Sequence, residues 1–341
     1  MNISKPIIGI TMGDPVGIGP EIVLSGLNNK NIYELCNPVV FGDVKVLEYA
    51  QSIIKGNVNL NIIENVQKGV YQPGTIDIVN CSNINVNKDF WGKPNVQTSE
   101  AMMGYINLAI DMALKEEIAG VVTCPINKMA MKLSNSKYPG HTELFAERTN
   151  SSEYIMMMAG NILRVSLVTI HVALSKVPNL ISTDKILKTI EITAKALYEK
   201  FGFENPIIAV AGLNPHSGED GLFGQEESQI ITPAINLAKD KGINALGPFP
   251  PDTVFYNASQ GKYHAVICMY HDQGLIPFKM IHFKDGVNTT LGISIIRTSV
   301  DHGTAYDIAG TGQSDPSSLI AAIKMAAEHA SCLSKRKYLA L

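Results

Sequence analysis

The chain has 341 residues, 45% of them hydrophobic and 17% charged, with a formal net charge of −3 at neutral pH. This length exceeds one comfortable hydrophobic core, so we expect two domains in an ordinary soluble globular protein. The small net charge provides no electrostatic footprint for nucleic acid, and no apolar stretch approaches the ~20 residues that span a bilayer. We therefore expect neither a nucleic-acid partner nor a membrane partner.

Short β-branched runs alternate with segments of helical periodicity, which predicts an α/β protein with largely parallel strands. Ser99 and Ser182 or Thr183 are the expected N-caps of two helices, Gly202 ends the second, and Pro233 predicts a kink or break in the third. The predicted strands are 6–11, 38–42, 120–125, 164–171, 206–214 and 264–271, and the predicted helices are 99–117, 182–202, 226–242 and one that runs from about residue 315 to the basic C-terminal residues.

The five cysteines are dispersed and form no C-x-x-C pair. An odd, scattered set argues against a disulfide framework and a zinc ribbon, and favours a reducing compartment. The strand-like run PIIGIT begins at residue 6 and leaves no room for a signal peptide. These features predict a cytoplasmic enzyme.

The first predicted βα junction reads GITMGDPVGIGPEIV, residues 9–23. Its glycines make a flexible turn whose amide groups could hold an anion. The spacing is not G-x-G-x-x-G, so the junction fails as a dinucleotide fingerprint. By spacing alone, a tight connection is favoured over a phosphate cradle.

Three histidines, His171, His216 and His271, lie where an apolar run meets a polar turn. Parallel strands deliver their carboxyl ends to one edge, so such residues are expected to meet in one cleft. Histidine is a common ligand of divalent transition metals, and Asp272 directly follows His271. Each histidine alone is typical of a satisfied polar residue at a strand end, but together they predict a metal site.

Two segments contain groups suited to an anionic substrate. His141 and Thr142 precede a helix expected to begin around Glu143, where they could receive an anion; locally, Thr142 as a simple cap is favoured. Lys279, Asn288 and Arg297 supply a cation, an amide and a bidentate cation in one stretch, which is typical of a grip on phosphate or carboxylate.

The segment DHGTAYDIAG, residues 301–310, places Asp307 between two glycines. This acid could pair with the ribose hydroxyls of a dinucleotide, which would favour NAD over NADP. Taken alone, the segment is a plausible loop.

Seven motifs fall in the order found in one family: TMGDPVGIGPEI, YPGHTE, TIHVALSKVP, NPHSGE, MYHDQGLIPFK, GVNTTLGISIIRTSVDHGTA and DIAGTG. Over nearly its whole length the chain resembles the 4-hydroxythreonine-4-phosphate dehydrogenase family of pyridoxal 5′-phosphate (vitamin B6) biosynthesis. Its segment DHGTAYDIAGTGQSDPSSLIAAI, residues 301–323, also resembles the adenosine loop of isopropylmalate and isocitrate dehydrogenases.

The resemblance implies their two-domain α/β/α fold, with mostly parallel sheets and an active-site cleft between the domains. A cofactor-side domain would comprise residues 1–125 and 285–341, and a metal, substrate and dimerisation domain residues 126–284. The enzyme would be a homodimer with its active site at the subunit interface.

Residue by residue, the resemblance implies three sets of functional groups. One divalent metal per subunit would be held by the three histidines, one of them reaching the site from the other subunit; histidine favours zinc or cobalt, while magnesium and manganese stay open. The implied substrate-binding residues are His141, Thr142, Lys279, Asn288 and Arg297, and His302, Gly303 and Asp307 would fall in the NAD(P)+ loop.

The implied reaction oxidises the C3 hydroxyl of 4-phosphooxy-L-threonine by hydride transfer to NAD(P)+, and metal-assisted loss of CO2 gives 3-amino-2-oxopropyl phosphate. The group that accepts the hydroxyl proton is left open among Lys279, Asp252 and a metal-bound water. Lys128 is a weaker candidate near the cleft.

Three alternatives differ from this interpretation. A related branch acts on 4-phospho-D-threonate or 4-phospho-D-erythronate in sugar-acid catabolism and shares these motifs, differing at the C2 substituent of the substrate. A non-catalytic metabolite-binding protein would have a damaged metal triad or cofactor loop, whereas both are intact here. A metal-dependent hydrolase would have no use for the DHGTAYDIAG loop.

Overall fold

The computed structural model describes residues 5–339 as alternating strands and helices, and the predicted α/β class is confirmed. The strands are β1 (Ile7–Thr11), β2 (Asn37–Gly42), β3 (Asn59–Ile62), β4 (Thr75–Asn80), β5 (Gly120–Thr123), β6 (Ile155–Ala159), β7 (Arg164–Leu167), β8 (Ile208–Ala211), β9 (Ala245–Phe249), β10 (Ala265–Cys268), β11 (Val287–Leu291) and β12 (Ile296–Val300). The helices are α1 (Gly19–Leu27), α2 (Lys30–Leu35), α3 (Val44–Ile54), α4 (Val96–Leu114), α5 (Lys128–Leu133), α6 (His141–Arg148), α7 (Val177–Leu180), α8 (Thr183–Glu199), α9 (Thr232–Asp240), α10 (Pro251–Ser259), α11 (His271–Ile281) and α12 (Ser317–Leu339).

The chain divides into two compact units. Unit 1 contains the chain up to Ser152 together with Ile293–Ser331, and unit 2 contains Glu153–Gly292 and the residues from Cys332 onward. The first two crossings lie later than the predicted boundaries at 125/126 and 284/285, and a third crossing after Ser331 has no predicted counterpart.

Two tertiary contacts account for the first and the third of these crossings. Arg148 at the end of α6 bonds to Asn107 and Asp111 of α4, which ties α6 to unit 1. Arg336 donates to the Tyr198 carbonyl at 2.8 Å, which ties the end of α12 to unit 2.

The sheet of unit 1 has the strand order β3-β4-β2-β1-β5-β12, and every pairing is parallel. Strands β5 and β12 are buried along their whole length. Helix-covered parallel sheets bury both faces, so their strands appear in sequence as continuous β-branched runs. Because every pairing is parallel, all the strands of unit 1 end at the same edge of the sheet.

The sheet of unit 2 has the order β11-β6-β7-β10-β8-β9 and is mixed. The pairs β11/β6 and β6/β7 are antiparallel, whereas β7/β10, β10/β8 and β8/β9 are parallel. Val165, Leu167, Val266 and Phe278 belong to its buried apolar core. The three parallel neighbours β7, β10 and β8 are the strands that precede the predicted metal histidines.

The N-caps of helices α8 and α4 can be compared with those predicted from the sequence. Ser182 caps α8 as predicted, accepting a hydrogen bond from the Lys185 amide at 3.2 Å. The predicted N-cap Ser99 is wrong: Asn95 accepts from the Thr98 amide while the Thr98 hydroxyl accepts from the Asn95 amide, both at 3.0 Å. This reciprocal box satisfies two amides and so starts α4 one turn earlier.

The helix predicted at 226–242 is interrupted, as Pro233 suggested. A π-helical turn at Glu227–Ile231 precedes α9, in which proline occupies the first turn, where its missing amide costs no hydrogen bond. Within residues 5–339, no helix combines the length and apolarity needed to cross a membrane.

Candidate active site

His171 and His271 lie side by side in unit 2, with ring centroids 5.5 Å apart. Strands β7 and β10 pair in parallel, and the pairing continues beyond their ends: the Val168 amide donates to the Cys268 carbonyl at 2.9 Å and the Thr169 amide to the Met269 carbonyl at 3.2 Å. This paired extension carries both chains to one point at the sheet edge, so it accounts for the neighbouring imidazoles.

Neighbouring side chains orient His271, the first residue of α11. Its Nδ1 is 2.7 Å from Asp272 Oδ1, which leaves Nε2 as the ring nitrogen that can bind a ligand. The buried side chain of Gln273 accepts from the Met269 amide at 2.6 Å and donates to the Gly212 carbonyl at 2.7 Å. These bonds attach α11 to the ends of both β10 and β8.

His216 follows β8, the next parallel strand, but does not join the other two histidines. Its side chain is 66% exposed, with Nδ1 3.2 Å from Glu219 Oε2. Within residues 5–339, no three His, Cys, Asp or Glu side chains are grouped as a metal would require. One chain thus brings together two of the three predicted ligands.

His216 lies in a left-handed turn: residues 216–220 all have φ between 43° and 83°. L-residues other than glycine pay roughly 1–2 kcal/mol each for this conformation. The turn is anchored by Glu227, whose buried carboxylate accepts from the Leu213 and Asn214 amides, both at 2.7 Å, and from Asn214 Nδ2 at 3.0 Å. Sequence reasoning missed Glu227, because a glutamate in a helical pattern indicates a solvated face.

Arg297, on β12 of unit 1, is 3% exposed. Its Nη2 donates to Thr123 Oγ1 of the neighbouring strand β5 at 2.9 Å, and its guanidinium lies 5.7 Å from the Phe145 ring centroid. Burial lowers the pKa of Arg297 to about 10, against the opposing effect of Glu143, so the group is still charged at neutral pH. A desolvated cation of this kind is a strong attractor for a phosphate or carboxylate.

His141 and Thr142 begin helix α6, close to Arg297. The N-cap is Gly140, which has no side chain to cap the helix, so the reading of Thr142 as a simple cap is wrong, and α6 starts at His141 rather than at Glu143. The pKa of His141 lies well below 6.5 because of burial and the nearby charge of Arg297. Its buried Nε2 has no hydrogen-bond partner among residues 5–339. The imidazole is therefore neutral at pH 7 and offers a donor or an acceptor to a ligand.

The remaining substrate-binding candidates lie in unit 2. Lys279 is half-buried on α11, with Nζ 5.8 Å from the Phe283 ring centroid. Asn288, on β11, has a buried Oδ1 with no hydrogen-bond partner in the described part of the chain. Asp252 is exposed in the first turn of α10. Asn288 thus has a free acceptor for a ligand. The exposed position of Asp252 does not by itself indicate what it binds.

The predicted cofactor loop follows β12 in unit 1 and presents His302, Gly303 and Asp307 at its exposed surface. His302 Nδ1 lies 3.1 Å from the Gly303 carbonyl, and a Cβ built on Gly303 would meet nothing within 4 Å. The opposite side of the loop contacts the first βα turn, since the Ile18 amide donates to the Thr304 carbonyl at 3.1 Å. The turn predicted as a tight connection therefore also supports this loop.

Proteins of known name resemble this chain over most of its length. The family described as pyridoxal phosphate biosynthetic protein PdxA matches residues 34–326. The chain belongs to this family. A Desulforapulum autotrophicum protein named 4-hydroxythreonine-4-phosphate dehydrogenase is 55% identical over 96% of both chains. A Clostridium botulinum protein provisionally named D-threonate 4-phosphate dehydrogenase is 42% identical, covering 96% of this chain and 97% of that one.

Solved structures of the PdxA family share the fold. The crystal structure of 4-hydroxythreonine-4-phosphate dehydrogenase from Klebsiella pneumoniae aligns with a TM-score of 0.87 at 38% identity, covering 97% of this chain and 99% of that one. This likeness confirms the predicted α/β architecture and family resemblance over the whole chain. As a member of the PdxA family, the chain is a dehydrogenase.

Proposed function

We propose that this chain oxidises 4-hydroxythreonine 4-phosphate (4-phosphooxy-L-threonine) at C3 with NAD(P)+, and that the resulting β-keto acid loses CO2 to give 3-amino-2-oxopropyl phosphate. Family membership and the names of relatives at up to 55% identity support the substrate. The observation that carries the proposal is the buried Arg297 beside the start of α6, because it is built to receive an anionic group.

In unit 1, Arg297, His141 and Thr142 bind an anionic group of the substrate. Arg297 supplies the permanent charge, and the first-turn amides of α6 add donors with the favourable end of the helix dipole. The neutral His141 adds a directed hydrogen bond without adding charge, which orients the anion. In unit 2, Asn288 and Lys279 supply an acceptor and a cation for the rest of the substrate.

The histidines of unit 2 are suited to a divalent metal. Two imidazoles with ring centroids 5.5 Å apart are near enough to share an ion, and the carboxylate of Asp272 orients one of them, as is common for metal-binding histidines. A divalent cation at this position, with zinc favoured by the donor set, would lower the pKa of the C3 hydroxyl and polarise the ketone for decarboxylation. Lys279 and Asp252 remain the side chains proposed to accept the hydroxyl proton.

His216 would complete the metal site of a partner subunit in a homodimer. It is exposed on a turn held rigid by Glu227, and the exposed apolar residues Leu222 and Phe223 follow this turn. Helix α11 and the segment after it expose Ile276, Met280 and Phe283, which are 60%, 83% and 77% exposed. Large apolar side chains grouped on a surface mark a protein interface.

The loop with His302, Gly303 and Asp307 would bind the dinucleotide. Its exposed carboxylate can accept from the two ribose hydroxyls, so we propose NAD+ rather than NADP+, whose 2′-phosphate it would repel. A dinucleotide held there would supply the acceptor for the hydride that leaves C3. We further propose a cytoplasmic location, which the unpaired cysteines support.

The test is an assay of the purified protein with zinc or magnesium and either NAD+ or NADP+, following formation of the reduced nucleotide. Two substrates are compared, 4-phosphooxy-L-threonine and 4-phospho-D-threonate. A much higher kcat/KM for the first, with release of CO2, supports the proposal. A preference for the second would assign the sugar-acid reaction suggested by the Clostridium relatives, and silence with both, despite bound metal, would contradict either dehydrogenase reaction.

A further inference from the structure

Two buried carboxylates of the first βα turn bind the 302–314 loop. Glu21, on α1, is fully buried and accepts from the Gly310 amide at 2.5 Å, from the Gly312 amide at 2.8 Å and from the Ser314 hydroxyl at 3.4 Å. Asp14, which is 1% exposed, accepts from the Tyr306 hydroxyl at 2.5 Å. Both acids lie in the motif GDPVGIGPE, to which the proposed reaction assigns no role.

The turn backbone completes this support. A Cβ on Gly17 would lie 3.0 Å from the Thr304 carbonyl oxygen, so a side chain there would crowd the loop. Trp91, the only tryptophan of the chain, covers the same loop: a Cβ on Gly310 would come within 2.2 Å of its ring. Trp91 also stacks on Tyr49, with ring centroids 5.8 Å apart.

The hydrogen bonds from the 302–314 loop to Glu21 and Asp14 all lie on one side of the loop. The residues that face solvent on it, His302, Gly303 and Asp307, are those proposed to meet the dinucleotide. Gly310 and Gly312, whose amides converge on Glu21, have φ of 78° and 73°, a conformation that glycine adopts freely but does not maintain unaided. Without the carboxylate, this part of the loop would have many accessible conformations.

We propose that Glu21 and Asp14 are positioning residues for the dinucleotide, holding the 302–314 loop in its binding conformation. This inference rests on the proposed function only where it names the dinucleotide. A loop that populates its competent shape for a fraction of the time binds with affinity reduced by that fraction, so the carboxylates act on cofactor affinity and hardly on the hydride step.

The test compares Glu21→Ala and Glu21→Gln with the parent protein. Trp91 emission, read without any ligand, reports the loop, because an opened loop admits water to the indole and shifts its emission to longer wavelength. The Kd for NAD+, measured by titration, reports binding. We expect a red shift in Glu21→Ala and a Kd roughly ten- to hundredfold higher, with kcat changed far less; Glu21→Gln, which keeps one acceptor, should show an intermediate Kd.

Asp77→Asn is the matched control. Asp77 is a buried carboxylate of unit 1 that also accepts two backbone amides, those of Val70 and Tyr71, but it supports a different segment. This variant should lose stability without changing Trp91 emission or the Kd for NAD+. If Glu21→Ala does not fold, Tyr306→Phe, which removes the hydrogen bond from the Tyr306 hydroxyl to Asp14, takes its place with a smaller expected change.

Parent-like emission and a Kd within twofold of the parent value in a folded Glu21→Ala protein would overturn the positioning role. Equal effects of Asp77→Asn would overturn it too, because they would reflect general destabilisation. A parent protein that binds neither NAD+ nor NADP+ would contradict the proposed function and the cofactor part of this inference, while the emission shift would still decide whether Glu21 holds the loop.

Discussion

Arg297 illustrates how one side chain acquires a function from its surroundings. A lone arginine in a β-branched run is ambiguous in sequence, whereas here it is a desolvated cation bonded to Thr123 and lying over Phe145. Burial of a charge is unfavourable unless partners compensate for it, and an anionic ligand compensates most fully. Burial, together with the same charge, lowers the pKa of His141 and keeps it neutral, so the two residues act as a pair.

Arg297→Lys should therefore lower kcat/KM for the phosphorylated substrate. Lysine keeps the charge but loses the planar fork, and we expect a fall of about ten- to a hundredfold, mainly through KM. Arg148→Lys is the control, since Arg148 bonds to Asp111 at a half-exposed position of the same unit. Equal kinetics of Arg297→Lys and the parent would refute the assignment.

His141 predicts a pH dependence of stability. Its pKa is below the ordinary 6.5 in the folded chain, so between these two values the unfolded chain binds a proton that the native chain does not. Stability is then complete above pH 6.5 and falls as the pH drops, by at most about 1.4 kcal/mol per pH unit. His141→Asn should flatten this fall in urea titrations between pH 7.5 and 5.5; parallel slopes in parent and variant would contradict it.

At the scale of the element, the left-handed turn at 216–220 is stabilised by its connection to the π-helical turn. Four non-glycine residues at positive φ are intrinsically unfavourable, and the hydrogen bonds that Glu227 accepts from the Leu213 and Asn214 amides offset that cost. The π-helical turn at Glu227–Ile231 places this carboxylate beneath the strand end. The π-helical turn and the left-handed turn thus form one local structure that exposes His216.

Glu227→Ala should destabilise the left-handed turn at 216–220. Two partly buried amides lose their acceptor, so we expect a loss of about 2–4 kcal/mol in the free energy of unfolding, with weaker zinc binding in calorimetric titrations. Glu226→Ala removes only one bond, from Asn214 Nδ2, and should cost less than about 1 kcal/mol. Similar losses in both variants would show that Glu227 has no special role.

At the scale of the whole molecule, each chain groups two of the three predicted metal ligands. His216 is exposed beside apolar residues, and α11 exposes Met280 and is followed by the exposed Phe283. A second copy that covered these residues would remove apolar surface from water and could bring its own histidine. The proposed metal site therefore depends on dimerisation.

Met280→Glu should weaken the dimer without unfolding the chain, because the residue is 83% exposed. We expect a shift toward monomer in sedimentation velocity at micromolar concentration, with a parallel loss of zinc affinity and turnover. Ile62→Glu changes an exposed apolar residue of β3 and should leave the association state unchanged. A Met280→Glu protein that remained dimeric would place the interface elsewhere.

The sequence alone determined the class of fold and most of the candidate residues. Strand runs such as those of β1, β5 and β10 are β-branched because parallel strands are buried on both faces, and this pattern is local. The seven ordered motifs indicated the family, which the comparisons confirm. The parallel pairing of β7 and β10 brings His171 and His271 together, as strand-end histidines predict.

Only the tertiary structure decided which groups meet across long sequence distances. Glu21 bonds to Gly310 and Gly312, and Glu227 supports the turn of His216, yet a glutamate in a helical pattern carries no local sign of such a partner. The start of α4 and the unit boundaries depended likewise on the bonds of Asn95 and Arg148. Periodicity reports which face of an element is apolar, whereas hydrogen bonds between distant segments depend on how the chain is packed.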